Sequence, residues 1–263
     1  MALQTDPSGV PRLIGDNTSE YVDLLFRNRA DFLSGVWMLG GDDTVYGGIT
    51  NELIFGNDGE DSLLGDFGND SLYGGRGKDD LSGGDENDSL IGGQDADWLR
   101  GGAGDDILWG GTGNDILYSG NGNDTLIGGL GRDYLSIWDT GPSSPKTSGS
   151  NLYVLQIESG VTDINKTDII GYFQVGLDRI GLSDGLTVND VVLENLTNVL
   201  RLQDYDFSKA IKPNVSPPEL LTPSTVVTSG TLIKVRSSGD VVGFVEFVTP
   251  AQLQNSIISV QAF

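Results

Sequence analysis

The chain has 263 residues, enough for one or two domains, and carries 38 acidic against 15 basic side chains, a net charge of −23. It contains no cysteine and no histidine, which excludes disulfides, thiolate nucleophiles, histidine-ligated zinc and every Ser-His or Cys-His catalytic pair. The acidic charge argues against nucleic-acid and anionic-membrane partners, and no apolar run is long enough to span a membrane.

The opening Met1-Ala2-Leu3-Gln4-Thr5-Asp6 lacks the basic region and apolar core of a cleaved signal peptide, so none is expected. Residues 1–42 read as a degenerate repeat that forms an N-terminal cap. Leu24, Leu25, Phe26, Val36, Trp37 and Met38 are apolar enough to close the open end of a stacked core, as solenoid termini require.

From Asp43 to Leu135 one nine-residue unit recurs in unbroken register. Its cleanest copy is Gly101-Gly102-Ala103-Gly104-Asp105-Asp106-Ile107-Leu108-Trp109. Position six of the unit is Asp43, Glu52, Asp61, Asp70, Asp79, Asp88, Asp97, Asp106, Asp115, Asp124 and Asp133. Position eight is aliphatic every time, from Val45 and Ile54 through Leu63 to Leu135. Positions seven to nine, such as Ile116-Leu117-Tyr118, have the β-branched, aromatic and aliphatic character of short strands. Alternation along a strand points position eight inward and seven and nine outward. Glycines at positions one, two and four then make the turn. Strand, turn, strand, turn uses two units, and stacked coils predict an all-β, right-handed parallel β-roll of two sheets around a thin aliphatic core over residues 43–139.

That unit resembles the nonapeptide GGxGxDxUx of the RTX family, hemolysin-type calcium-binding proteins secreted by bacteria. The resemblance implies Ca²⁺ ions lodged between turns of units two apart along each edge of the roll. The implied ligands are the carboxylates of Asp43, Asp61, Asp70, Asp79, Asp88, Asp97, Asp106, Asp115, Asp124 and Asp133. Glycine-loop carbonyls complete the set, at Gly75, Gly77, Gly102, Gly104, Gly111, Gly113, Gly120, Gly122, Gly129 and Gly131. Elementary physics agrees. Residues 31–139 hold 22 acidic and four basic side chains and 27 glycines, so charge repulsion and backbone entropy both oppose folding without a cation. A hard cation that accepts six to eight oxygens in loose geometry suits such turns better than Mg²⁺ does. Six turns on one edge and five on the other allow at most nine slots. Thr50 and Glu52, Glu86 and Asp95 at position four, and Ser119 at position one depart from the unit and put the early and middle slots in doubt.

Residues 140–150, with Gly141-Pro142-Ser143-Ser144-Pro145, read as a linker. Residues 151–263 are much less acidic and read as a small β-rich C-terminal domain. Its candidate strands are Leu152 to Ile157, Asp168 to Phe173, Arg179 to Leu182, Val191 to Leu196 and Val199 to Leu202. A hairpin follows, from Thr231 to Arg236 and Val241 to Val248. Asp206 to Thr225, with four prolines, reads as a long loop. The stretches from Asp168 to Phe173 and from Leu177 to Leu182 resemble the segment that succeeds the repeats in many bacterial RTX proteins. In that family this part carries an uncleaved signal for type I secretion.

The expected protein is therefore a secreted or cell-surface calcium binder that folds on Ca²⁺ outside the cell, as a surface, matrix or adhesive component. Its implied partners are calcium, the type I secretion machinery and, through an outward ladder of Phe55, Tyr73, Ile91, Trp109 and Ile127, a surface polymer or a second copy. Packing by residues 151–263 or the cap is the plainer cover for that ladder. No catalytic site is expected. The alternative is an enzyme acting on an acidic polysaccharide, with carboxylates drawn from Asp163, Asp168, Asp178, Asp184 and Glu194. The sequons at Asn69, Asn87 and Asn123 are by-products of the repeat.

Overall fold

The computed structural model describes residues 2–5, 11–24, 35–137, 149–156, 160–161, 166–203 and 224–260. Among these, strands form two 11-stranded sheets, mostly parallel, that face each other across one core. Each unit supplies one strand, six residues long in all but the first and last units, such as Ser71–Arg76, Asp80–Asp85 and Ser89–Gln94, and successive strands alternate between the sheets. Partners in a sheet are 18 residues apart, with Leu72 opposite Leu90 and Leu90 opposite Leu108. The side-chain alternation fixes what is buried. Leu72, Leu81, Leu90, Leu99, Leu108, Leu117 and Leu126 are all fully buried and form a single inward column from each sheet. The roll predicted from the nine-residue period is the observed fold.

At the N-terminal end, Ala2–Thr5 and Pro11–Ile14 form an antiparallel pair whose second strand docks in parallel on Val36–Trp37. Leu13, Val22, Leu24, Val36 and Met38 join the same core, so residues that break the period still fill the end of the stack. Leu25, Phe26 and Asp31-Phe32-Leu33 lie outside the described residues.

The stack does not stop where the period does. Leu152–Leu155 pairs in parallel with Thr125–Leu130, Arg179–Leu182 pairs with it, and Ile257–Ser259 closes that sheet. In the other sheet Ile169–Gly171 follows Tyr134–Ser136, and Val241–Glu246 follows in turn. Only then does the pairing become antiparallel, through Ser224–Val235 and Val191–Gln203. Tyr153, Ile170, Ile180 and Val245 continue the inward column. The described residues between 149 and 260 therefore add strands to the roll, sharing its sheets and its core. Residues 138–148, with most of the expected linker, and 204–223, with most of the expected loop, lie outside the described residues.

The outer faces differ. On the sheet of the even-numbered units Trp37, Phe55 and Tyr73 stack, with ring centroids 4.2 and 4.7 Å apart. Beyond them Ile107 is 51% and Trp109 36% exposed, while Ile127 is buried. On the opposite sheet Trp98, Ile116 and Tyr118 are buried in a small cluster of their own. Arg100 lies over Trp98 and pairs with Asp80 at 2.6 Å. The more thoroughly buried outer face is thus the one opposite the expected apolar ladder.

Candidate metal-binding turns

Position six builds a ladder along each edge of the roll. Oδ1 of Asp61 accepts the main-chain N–H of Asp43 at 2.8 Å, and Asp79, Asp97 and Asp115 repeat this one coil further on at 2.8–2.9 Å. The other edge does the same from Asp88 to Asp124. One carboxylate oxygen is thereby used to tie successive turns together. The second is not. Oδ2 of Asp43, Asp61, Asp70, Asp79, Asp88, Asp97, Asp106 and Asp115 is buried with no hydrogen-bond partner.

A row of buried, unpartnered carboxylate oxygens is costly, because burial disfavours the charged form. Burial raises Asp43 to about 6, Asp61, Asp70, Asp79, Asp106 and Asp115 to about 7, Asp88 to about 8 and Asp97 to about 9. The ladder hydrogen bond opposes the rise at each, and carboxylates in the coils on either side add to it at Asp88 and Asp97. Either a proton or a cation must answer these oxygens.

The glycines explain where a cation fits. Those at position one approach the carboxylate so closely that a Cβ on Gly74 or Gly110 would collide with Oδ2 of Asp79 or Asp115. Positions two and four are left-handed, as at Gly111 (φ 115°) and Gly113 (φ 144°), and a Cβ there would strike the carbonyls of Gly93 and Asp95 in the coil before. Gly75, Gly77, Gly102, Gly104, Gly120, Gly122, Gly129 and Gly131 share this backbone. The turns thus bring carbonyl oxygens of one coil against the next, beside the unpartnered aspartate oxygens. Among the described residues no group of three or more acidic side chains is placed to hold a metal ion. An ion must therefore take most of its ligands from the main chain, which suits Ca²⁺ and its loose oxygen shell. The donor set fits.

A model of the RTX calcium-binding nonapeptide repeat (4 copies) matches the chain at residues 46–81, 55–90, 73–108, 82–117 and 100–135. Residues 46–135 are RTX calcium-binding nonapeptide repeats. No curated protein matches the chain.

Within the RTX run the irregular units keep the turn. Glu86 and Asp95 at position four hold φ 76° and 74°, and Asn57 and Asp66 at position two hold φ 75° and 77°. Glu52 is the real departure. Its carboxylate turns back to accept the N–H of Gly48 at 3.1 Å and the hydroxyl of Thr50.

Position five carries a second ladder that a nine-residue period hides. Oδ1 of Asn51 accepts from the N–H of Asn69, Asn69 from Asn87, Asn87 from Asp105 and Asp105 from Asn123, at 2.8–3.2 Å. This ladder runs opposite in sense to that of position six. On the other edge the same bond links the N–H of Glu60 to Asp42 and that of Arg132 to Asn114, at 3.0 and 2.9 Å, with Lys78 and Ala96 at the positions between. The signal is legible only at a period of 18, the coil, and it gives Asn69, Asn87 and Asn123 of the repeat's sequons a structural role.

The position-six ladder also outlasts the RTX repeats. Asn151 accepts from Asp124, Asp168 from Asp133 and Asp178 from Asn151, across separations of 27, 35 and 27 residues. Asp168 and Asp178, weighed above as catalytic carboxylates, are thereby members of the ladder.

Proposed function

We propose that this chain is a secreted calcium-binding RTX-type protein whose repeats fold on Ca²⁺ outside the cell, where it serves as a surface, matrix or adhesive component. The observation that carries the reading is the row of buried aspartate oxygens without partners, set against turn carbonyls inside matched RTX repeats. Without a cation the carboxylates repel and lie desolvated; a divalent ion removes both costs at once, so metal binding and folding are one event. Extracellular calcium modules bind at about 10⁻⁴–10⁻³ M. In a cell's low free calcium the repeats stay open, which suits export as an extended chain by a type I machinery. The resemblance of 168–182 to the segment following RTX repeats supports that route. Among the described residues no helix is long and apolar enough to cross a membrane.

The reading takes the chain to be a binder and scaffold, without catalysis. The rival enzyme of residues 151–263 is less well supported, because Asp168 and Asp178 each commit an oxygen to a main-chain N–H of the stack. Circular dichroism in chelator and then in millimolar Ca²⁺ tests the coupling. A large gain of β-signal on adding calcium is expected; a full β-spectrum in chelator at pH 8 contradicts it.

A further inference from the structure

The two outer faces of the roll differ in charge as well as in burial. In Leu53–Asp58, Ser71–Arg76, Ser89–Gln94 and Ile107–Thr112 the outward residues stand at positions seven, nine and two of the unit, and none is charged. The same positions on the opposite sheet hold Asp66, Asp80 and Arg100. A chain of net charge −23 thus keeps one flat face free of charge. At its N-terminal end Arg12 lies over Trp37, 5.4 Å from the ring, and at its C-terminal end Ile127 and Gly129 are buried. Between these limits the face is open: Ile107 and Trp109 are exposed, and Phe55, Tyr73 and Ile91 half-buried.

The open face has relief. Phe55 and Tyr73 are nearly parallel, with ring centroids 4.7 Å apart, which is the spacing of neighbouring strands. Rings that close must lie face to face along the roll axis, so each covers the other and only their rims point outward. Trp37, Phe55, Tyr73, Ile91 and Trp109 therefore form a ridge and offer no ring face on which a flat ligand could stack. Beside the ridge runs a groove. Position two lies two residues further along each strand on the same face, and Gly75, Gly93 and Gly111 align there. Ridge and groove share one spacing. A two-fold axis parallel to the roll and passing between them lays the ridge of each copy in the groove of the other, coil against coil.

We propose that this face is the interface of a homodimer, in which Tyr73, Ile91 and Trp109 of each copy seat against Gly75, Gly93 and Gly111 of the other. Five coils and a six-residue strand measure roughly 24 by 20 Å, which gives about 500 Å² on each copy and about 1,000 Å² in all. That is large for an apolar patch left open on a monomer, and it reaches the lower bound of a specific interface. The dimer is accordingly weak, with a dissociation constant of about 1–100 µM. Two acidic chains meet here without desolvating a charge. The interface belongs to the folded roll, so it rests on the calcium reading only where calcium is needed to fold the chain.

Sedimentation of the full chain in millimolar Ca²⁺, across the micromolar range, tests the proposal, with circular dichroism to follow folding. A monomer–dimer equilibrium that goes no further than two copies is expected. Ile91→Lys puts a charge in the middle of the ridge and should weaken dimerisation about tenfold or more, with the β-signal kept. Because the chain has no cysteine, Ile91→Cys places a single thiol on this face and Ser82→Cys one on the opposite sheet. A short bis-maleimide should link two copies through the first and not the second, which decides the question if the lysine variant fails to fold. A monomer with a complete β-spectrum in calcium overturns the proposal and leaves the calcium reading standing, and a monomer that binds a surface polymer instead overturns it equally. So does a dimer that Ile91→Lys leaves unchanged or that links through Ser82→Cys. If calcium brings no gain of β-signal, the calcium reading falls, and the two cysteine variants still decide this one.

Discussion

Each position-six aspartate has two separable tasks, one for each oxygen. Oδ1 takes the N–H of the preceding coil, and on the proposed reading Oδ2 is the oxygen left for a cation. Asn151 shows that an amide suffices for the first, since its Oδ1 accepts from Asp124 at 2.9 Å. Asp115→Asn should therefore keep the stack but lose calcium from the slots it borders, and Asp115→Ala should do both harms. The alanine leaves the Asp97 N–H without its acceptor, a cost of about 1–3 kcal/mol for a buried donor. Glu52→Ala gives the converse result. Its carboxylate serves Gly48 and Thr50 within its own turn, so thermal stability should fall while the calcium stoichiometry holds. Calorimetric titration together with thermal melts in saturating Ca²⁺ separates these outcomes; equal calcium loss in Asp115→Asn and Glu52→Ala would contradict the assignment.

At the scale of the turn and strand, the glycines set the distance between coils. Gly113 has φ 144°, a region open to glycine alone, and a Cβ there would run into the carbonyl of Asp95. Gly113→Ala should cost about 1–3 kcal/mol of stability and move the calcium midpoint of folding upward. An unchanged midpoint, read by circular dichroism, would mean the coils can separate without harm. These elements were legible in the sequence because one residue type recurs at one place: an aliphatic position eight and an acidic position six fix inside, outside and turn together. The later coils were not legible for the opposite reason. Asp168 continues the ladder on one edge and Asn151 and Asp178 the ladder on the other, but 35, 27 and 27 residues separate them from their partners, so no fixed period reveals them. The position-five ladder was hidden by reading at nine residues what the structure repeats at 18.

Over the whole molecule, a ladder of hydrogen bonds runs along each edge, from Glu20 to Asp168 on one and from Glu52 to Asp178 on the other, and the RTX turns occupy the middle. Charge on those ladders makes the roll respond to protons as well as to metal. Burial holds the aspartates at raised values, from about 6 at Asp43 to about 9 at Asp97, against an ordinary value near 4. The folded chain therefore binds protons more tightly than the unfolded chain. In the absence of metal this contribution to stability is fully present below the ordinary value, shrinks as the pH rises through it, and is gone above the folded values. In chelator the β-signal should accordingly be greater at pH 5.5 than at pH 9. Calcium, which competes for the same carboxylates, should bind more weakly as the pH falls from 8 to 5.5, releasing protons as it binds. Circular dichroism in chelator and calcium titration in two buffers of different protonation enthalpy measure both halves. A β-signal in chelator that stays flat between pH 5.5 and 9, together with calcium binding that releases no protons at pH 7, would mean the buried aspartates carry ordinary carboxylate values and that something other than their charge opposes the metal-free fold.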